Sequence, residues 1–274
     1  MALSPALSNV VEYRGVEGLV AAEVLVDDGT EYTTGPVYAI AGVAEISRTV
    51  DSTDEAHYYD NLPMVVISST SADTVTISAS AIPLEVLAFI TGQTYDSNKG
   101  AYIEGVRTSK YFALGYKTKK TDGSEVYIWR YKGKFNQPGE TNATENDGTD
   151  ANGQEIVYTG IATTHKFSAA GNKGAKSMYV DVAADKADVS NFFTTVTTPD
   201  TLVGKTKYTL TISGTATDLH IMRGSDELET GADIYSGDEL KISWTGTHTV
   251  TVGGNSWVSG DIKVVSGNLT VSIS

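Results

Sequence analysis

The sequence predicts a mainly β protein in two parts, residues 1–199 and 204–274, from three observations. Thr, Ser, Val, Tyr and Gly dominate the 274 residues while Pro and Phe number 6 each, a composition that favours strands. Apolar and polar residues alternate with period two along most of the chain, as half-buried strands require. After residue 204 turn dipeptides recur at short intervals, at Ser213-Gly214, Ser236-Gly237, Gly253-Gly254 and Ser266-Gly267, the rhythm of a small sandwich.

Taken in order, residues 37–48 read as a strand. Residues 64–67 and 74–78 read as a hairpin with Val75 and Ile77 facing one way, and residues 51–62 as a loop. Residues 82–91 read as a helix: Ile82, Val86, Phe89 and Ile90 share one face, Pro83 sits in the first turn and Gly92 follows as a stop. The clearest element is the hairpin over 110–134. Phe112, Leu114 and Tyr116 alternate before Thr121-Asp122-Gly123, and Tyr127, Trp129 and Tyr131 after it. Residues 136–153 are polar and rich in Gly, Asn and Asp, so a long loop is expected. Residues 154–164 and 178–183 read as strands. Residues 185–196 read as a second helix, with Asp185 as cap, Val189, Phe192, Phe193 and Val196 on one face and Pro199 beyond its end.

A boundary falls at 197–204. Beyond it Tyr208, Leu210 and Ile212 alternate with Thr and Ser, then Leu240, Ile242 and Trp244, then Val250 and Val252, then Ile262 and Val264, then Leu269, Val271 and Ile273. This pattern predicts an immunoglobulin-like β-sandwich without the Cys pair of antibody domains.

Composition excludes several functions. The chain has no cysteine, which removes disulfides and thiolate metal sites. No apolar run approaches the ~18 residues that cross a membrane. Residues 1–15 lack a basic leader and an apolar stretch of signal-peptide length, so a mature sequence is expected there. A net charge of −14 argues against adhesion to nucleic-acid backbones, which depends on neutralising phosphates.

No constellation for chemistry emerges. His57, His165, His220 and His248 are isolated in sequence, and none has a His partner at zinc-helix spacing. The cluster around His57 (Asp54, Glu55, Asp60) reads as a solvated loop. Residues 145–150 suggest a calcium loop, but Gly148 as the turn glycine would put Ala143 at the first ligand position, and Gly153 would put Gly148 there. There is no G-x-S-x-G elbow and no phosphate-binding glycine loop. No catalytic residue, metal or cofactor is therefore expected.

One basic concentration stands out: Lys110, Lys117, Lys119, Lys120, Arg130, Lys132 and Lys134 lie on the hairpin, and the loop after it holds Glu140, Glu145, Asp147, Asp150 and Glu155. Either these charges guard strand edges against aggregation, or one subunit's hairpin meets another's acidic rim and sets register. On the second reading Lys117, Lys119, Lys120, Arg130, Lys132, Lys134, Glu145, Asp147 and Asp150 are subunit-interface candidates. Trp244 is in phase with Leu240 and Ile242 and is expected in the core. Trp257 follows a Gly-Gly-Asn-Ser turn and is the candidate for an exposed surface contact.

The order of strand, hairpin, Pro-led helix ending in Thr-Gly-Gln-Thr-Tyr (91–95), then Tyr-Phe-Ala-Leu-Gly-Tyr (111–116), then Tyr-Ile-Trp-Arg-Tyr-Lys-Gly-Lys-Phe (127–135) resembles the major tail protein, or tail tube protein, of long-tailed, non-contractile phages of Gram-positive bacteria. Residues 185–199, with Phe192-Phe193, resemble the helix that closes that family's core. The resemblance spans roughly residues 5–199. It implies a β-sandwich or half-barrel with a flanking helix, hexameric rings whose sheets join into one barrel, and stacked rings forming the conduit for genome delivery. It further implies no enzymatic activity, a place in the virion after assembly in the host cytoplasm, and tape measure and tail terminator proteins as partners. DNA would pass the lumen without specific binding. Loops 51–62 and 136–153 would make ring-to-ring contacts. Residues 204–274 depart from the simplest members and are expected as an immunoglobulin-like decoration domain touching the host surface weakly. The alternatives are a bacterial surface or adhesin-type β-domain protein, and a carbohydrate-active enzyme carrying a β-sandwich module.

Overall fold

The structure is a computed structural model that describes residues 10–139, 153–214, 218–224 and 226–274, with the side chains of 51, 53 and 68–70 also outside the description. The chain divides into two compact units. Unit 1 comprises Met1–Ala183 and Val189–Leu202; unit 2 comprises Ala184–Asp188 and Val203–Ser274.

Unit 1 is built on one eight-stranded sheet. In chain order its elements are β1 (Tyr13–Asp27), β2 (Tyr32–Ala39), β3 (Val43–Tyr59), β4 (Leu62–Ala79), α1 (Leu84–Thr91), the short pair β5 (Thr94–Asp96) and β6 (Ala101–Ile103), β7 (Tyr111–Lys120), β8 (Glu125–Phe135), β9 (Gln154–Ile161) and β10 (Ser177–Asp181). The strand order is β2-β1-β7-β8-β9-β4-β3, with β10 also paired to β8. Among the described residues the path is open, and β2 and β3 are its two ends.

The hairpin of β7 and β8 forms where alternation placed it, turning at Gly123 with φ 85°. A bulge modifies it: Phe112 pairs with Gly133 but Leu114 with Arg130. The extra residue in β8 reverses which parity faces the core. Val126 and Ile128 therefore share a core with the odd-numbered Phe135.

That core lies between the sheet and α1. Ile82, Leu87 and Ile90 pack on Ala21, Ile77, Leu114, Ile156 and Tyr158. Helix α1 stops at Gly92 (φ 70°) as the sequence expects, but it begins at Leu84, two residues later than expected, with Pro83 as its N-cap and not in its first turn. The αL conformation costs a glycine nothing, and its N–H reaches the Ala88 carbonyl. Trp129 and Tyr131 face the opposite side, where they meet Phe193 and Phe167 at ring distances of 5.6 and 5.5 Å.

Four expectations need correction. Residues 37–48 are the end of β2 and the start of β3, separated at 40–42. Residues 64–67 and 74–78 belong to one strand, β4, whose partner is β3. Residues 51–62 are strand and a two-residue turn instead of a loop. Residues 185–196 form no α-helix. They follow successive turns, with Phe192 N–H donating to the Val189 carbonyl at 3.1 Å and Thr194 N–H to that of Asn191 at 3.1 Å. The β-branched run Thr194-Thr195-Val196-Thr197-Thr198 has low helix propensity. The Phe192 carbonyl, which a helix would offer to residue 196, instead accepts from Trp129 Nε1 at 2.8 Å and from the Thr197 hydroxyl at 3.1 Å.

Unit 2 is a two-sheet sandwich of nine short strands: β11 (Lys207–Ser213), β12 (His220–Arg223), β13 (Asp226–Glu227), β14 (Asp233–Tyr235), β15 (Glu239–Ser243), β16 (Val250–Val252), β17 (Asn255–Ser256), β18 (Ile262–Val264) and β19 (Leu269–Ile273). One sheet runs β14-β11-β19-β16-β17 and the other β13-β12-β15-β18. Their inward residues, among them Leu210, Ile221, Leu240, Ile242, Val252 and Val271, make a separate core. Strands β11 and β19 pair in parallel.

Candidate assembly surface

Strand β4 pairs with β9 only from Asp73 to Ala79. It pairs with β3 along its whole length, out to Tyr59 opposite Leu62. Residues 52–70 thus form a two-stranded arm that leaves the sheet and extends on the order of 30 Å at ~3.3 Å per residue. At its tip Asp60 and Asn61 have φ 50° and 64°, the left-handed pair of a type I′ turn, where Asp and Asn are tolerated best.

The arm concentrates exposed apolar side chains in one run. Tyr58, Tyr59, Leu62, Met64, Val65, Val66 and Ile67 are exposed, Tyr58 at 67% and Val66 at 62%. Successive residues of a strand point to opposite faces, so the run 64–67 leaves both faces of the ribbon apolar. An isolated two-stranded ribbon is marginally stable in water, and an apolar patch of this kind marks an interaction site. The opposing strand is mixed: Glu55 pairs with Ile67 and His57 with Val65, while Ala56 lies opposite Val66 and Tyr59 opposite Leu62.

The basic hairpin turns out to be satisfied within the chain. Lys117 lies 2.7 Å from Glu17 and 3.2 Å from Glu125, and Lys119 lies 3.1 Å from Glu17. These hydrogen bonds hold the Glu17 carboxyl below its usual range. Lys120 pairs with Asp181 at 2.8 Å and Lys110 with Glu23 at 2.9 Å. Lys132 pairs with Asp27, which also accepts the backbone N–H groups of Thr164 and His165. Lys134 donates to the Ser109 hydroxyl at 2.6 Å and lies 4.5 Å from the Tyr111 ring centre. Within the chain these cations therefore make a set of cross-strand ties. Glu145, Asp147 and Asp150 lie outside the described residues.

Arg130 is the exception in kind. It is buried, and its Nη2 donates to the hydroxyls of Tyr116 and Tyr179, both at 3.0 Å. It shares Asp73 with two other cations: Asp73 lies 2.6 Å from Arg48, 3.0 Å from Lys176 and 3.5 Å from Arg130. Burial alone would raise the Asp73 carboxyl, but hydrogen bonds from Arg48 and Lys176 outweigh it and hold the group ionised below the ordinary value.

Trp257 is not free. It is half-buried against the unit 2 core, as is Trp244, and its Nε1 is buried without a partner. Lys263 lies 5.9 Å from its ring centre. Sequence reasoning missed the arm because the pattern in 51–72 is broken by Ser and Thr. The signal available was Asp60-Asn61 between two β-rich runs. Among the described residues, no group of three or more His, Asp or Glu side chains could hold a metal ion.

Comparison with curated proteins finds no match. A protein-family model described as phage tail tube protein matches residues 27–209. That span takes in the arm, the basic hairpin and most of the open sheet, so the chain belongs to the phage tail tube protein family and serves as a structural component of the virion tail.

Proposed function

We propose that this chain is the repeating subunit of a hollow tail tube, in which six copies form a ring, rings stack, and the genome passes through the lumen. The observation that carries this reading is an open sheet with two free ends joined to an arm whose apolar side chains are exposed. Joining sheets across copies removes the edges, and docking the arms covers their apolar faces. The net charge of −14 supports a lumen that repels phosphate. Tape measure and terminator proteins are the partners this reading implies, with assembly in the host cytoplasm. Of the hairpin cations, Lys119 is among the more exposed, with 43% of its side chain accessible, and best suits an electrostatic contact with a neighbour's residues 140–152. The role proposed for residues 204–274 is an immunoglobulin-like decoration of the tube, touching the host surface weakly with avidity from many copies.

Electron microscopy tests the reading with phage tail tips supplied as seeds. The intact chain is expected to extend them into hollow tubes. A variant with residues 52–70 replaced by Asn-Gly should keep its β circular dichroism but add no tube. Tubes of normal length from that variant would defeat the proposal.

A further inference from the structure

At the foot of the arm, unit 1 holds a cavity of about 440 Å3. Val16, Ile46 and Ile128 give it apolar walls, and Arg48, Thr118 and Arg130 give it polar ones. Two of those polar groups have unused hydrogen-bonding capacity. Arg130 is only 2% exposed and its Nε has no partner, and the Thr118 hydroxyl is likewise buried without one. Buried donors left unsatisfied are uncommon in native structures and call for an explanation.

The charge is also unbalanced. Arg48, Arg130 and Lys176 converge on the single carboxylate of Asp73. Glu45 lines the cavity as well; it and Arg48 both reach solvent, which leaves Arg130 as the buried cation. A cation excess beside an open, largely apolar cavity, with Arg130 buried and Arg48 reaching solvent, favours a ligand with one carboxylate on an apolar body.

The arm tip has that chemistry. Between residues 49 and 72 lie Asp51, Asp54, Glu55 and Asp60, with no Lys or Arg. Asp60 sits on the turn between exposed Tyr59 and Leu62. The arm cannot reach the cavity of its own chain. Arg48 is at the foot, the strands stay paired from there to Tyr59, and twelve residues of strand put the tip about 40 Å away.

We infer that the arm tip of one copy seats in this cavity on a second copy, with the Asp60 carboxylate completing the Arg130–Thr118 site. This rests on the reading of the arm as an assembly element. The contact joins two different surfaces, so it propagates from copy to copy. Because each chain carries both halves, linked cavities lie no further apart than about 40 Å.

The absence of cysteine makes a clean test. Ala44 is exposed where it lines the cavity, and Leu62 is exposed beside the tip. Seeded tubes grown from a mixture of Ala44→Cys and Leu62→Cys chains should oxidise to a disulfide-linked dimer containing one of each. Each variant alone should not yield that species. Tubes that form without the mixed dimer would overturn the seating while leaving the tube reading intact. As a second measurement, Asp60→Asn keeps a residue that tolerates the left-handed turn and removes only the charge. It should slow elongation, read by light scattering, about tenfold at low salt, with the gap closing at high salt. Elongation equal to the parent's at low salt would also overturn it. If the arm-shortened chain elongates normally, it is the assembly role of the arm that fails.

Discussion

The indole N–H of Trp129, on the central strand β8, donates at 2.8 Å to the carbonyl of Phe192, 63 residues further along the chain. Trp129 is fully buried, and this bond fixes a segment that has no helix to hold it. Together with the Tyr131 hydroxyl on the Thr197 carbonyl and the Ser168 and Ala169 bonds to Asp200, it ties residues 189–202 to unit 1, although they follow a segment that is not part of it. Trp129→Phe keeps an aromatic ring but removes the donor. The Thr197 hydroxyl still reaches the same carbonyl, so a loss of about 1–3 kcal/mol is expected. Hydrogen exchange should show faster amides in residues 192–198 with α1 unchanged. Uniform loss of protection across unit 1 would mean the bond has no local role.

Gly133, in the Tyr-Lys-Gly-Lys-Phe motif, is required by close approach. A Cβ there would fall on the Tyr158 ring and the Thr159 carbonyl oxygen, inside van der Waals contact. Tyr158 is itself fully buried and donates to the Phe112 carbonyl at 2.9 Å, so neither neighbour can move cheaply. Gly133→Ala should cost about 3 kcal/mol, read as a fall in the unit 1 unfolding midpoint. Gly139→Ala, where a Cβ meets nothing within 4 Å, should leave that midpoint in place.

Acid should weaken unit 1 through Asp73 and Asp27. Burial opposes ionisation of both. For Asp73, hydrogen bonds from Arg48 and Lys176 reverse the effect; for Asp27, those from the His165 backbone, Lys132 and the Thr164 backbone do so. Both folded values lie below the unfolded one, so the folded state binds fewer protons. Their stabilisation is complete above the unfolded value of about 3.9 and is lost as pH falls through the folded values. Urea midpoints for unit 1 should therefore be flat near neutrality and decline below about pH 4. Asp73→Asn should lower the neutral-pH stability by about 3–5 kcal/mol, since three cations lose their shared carboxylate. It should also flatten the acid limb. An undiminished acid limb in that variant would remove Asp73 from the explanation.

What sequence could and could not convey follows from the range of the interactions. The turn at Asp122-Gly123 and the stop at Gly92 after α1 are local signals, and each is where the pattern placed it. In unit 2 the inward alternation holds for Leu210, Leu240, Ile242, Val250, Val252, Leu269, Val271 and Ile273, but Ile262 and Val264 are exposed and Val265 is buried in their stead. The bulge in β8 is set by how β7 and β8 pair, and the alternation of Tyr127, Trp129 and Tyr131 gives no sign of it. The helix expected over 185–196 had the right apolar spacing at Val189, Phe192 and Val196. It lost to a tertiary hydrogen bond from Trp129, which no window of neighbouring residues contains. The intrachain partners of the basic hairpin were hidden for the same reason: Glu17, Glu23, Asp27 and Asp181 come from strands distant in sequence. The cavity was invisible because Arg48, Thr118 and Arg130 meet only through the sheet.

Truncation after Leu202 tests whether the C-terminal module is dispensable for the tube. It removes the strands of unit 2 and retains every residue of unit 1. It also strips Ala184–Asp188 of partners: the Asp188 N–H loses the Val203 carbonyl, Ala187 loses its bridge to Gly204, and Asp185 loses Lys205. These are few bonds, and the cores of the two units are separate residue sets. The truncated chain should therefore fold with unit 1 stability lowered by no more than about 1–2 kcal/mol. On the proposed decoration role it should extend seeds into tubes of normal length. Truncated protein that folds, by circular dichroism, yet builds no tube would show that unit 2 takes part in assembly and would remove it from the role of decoration.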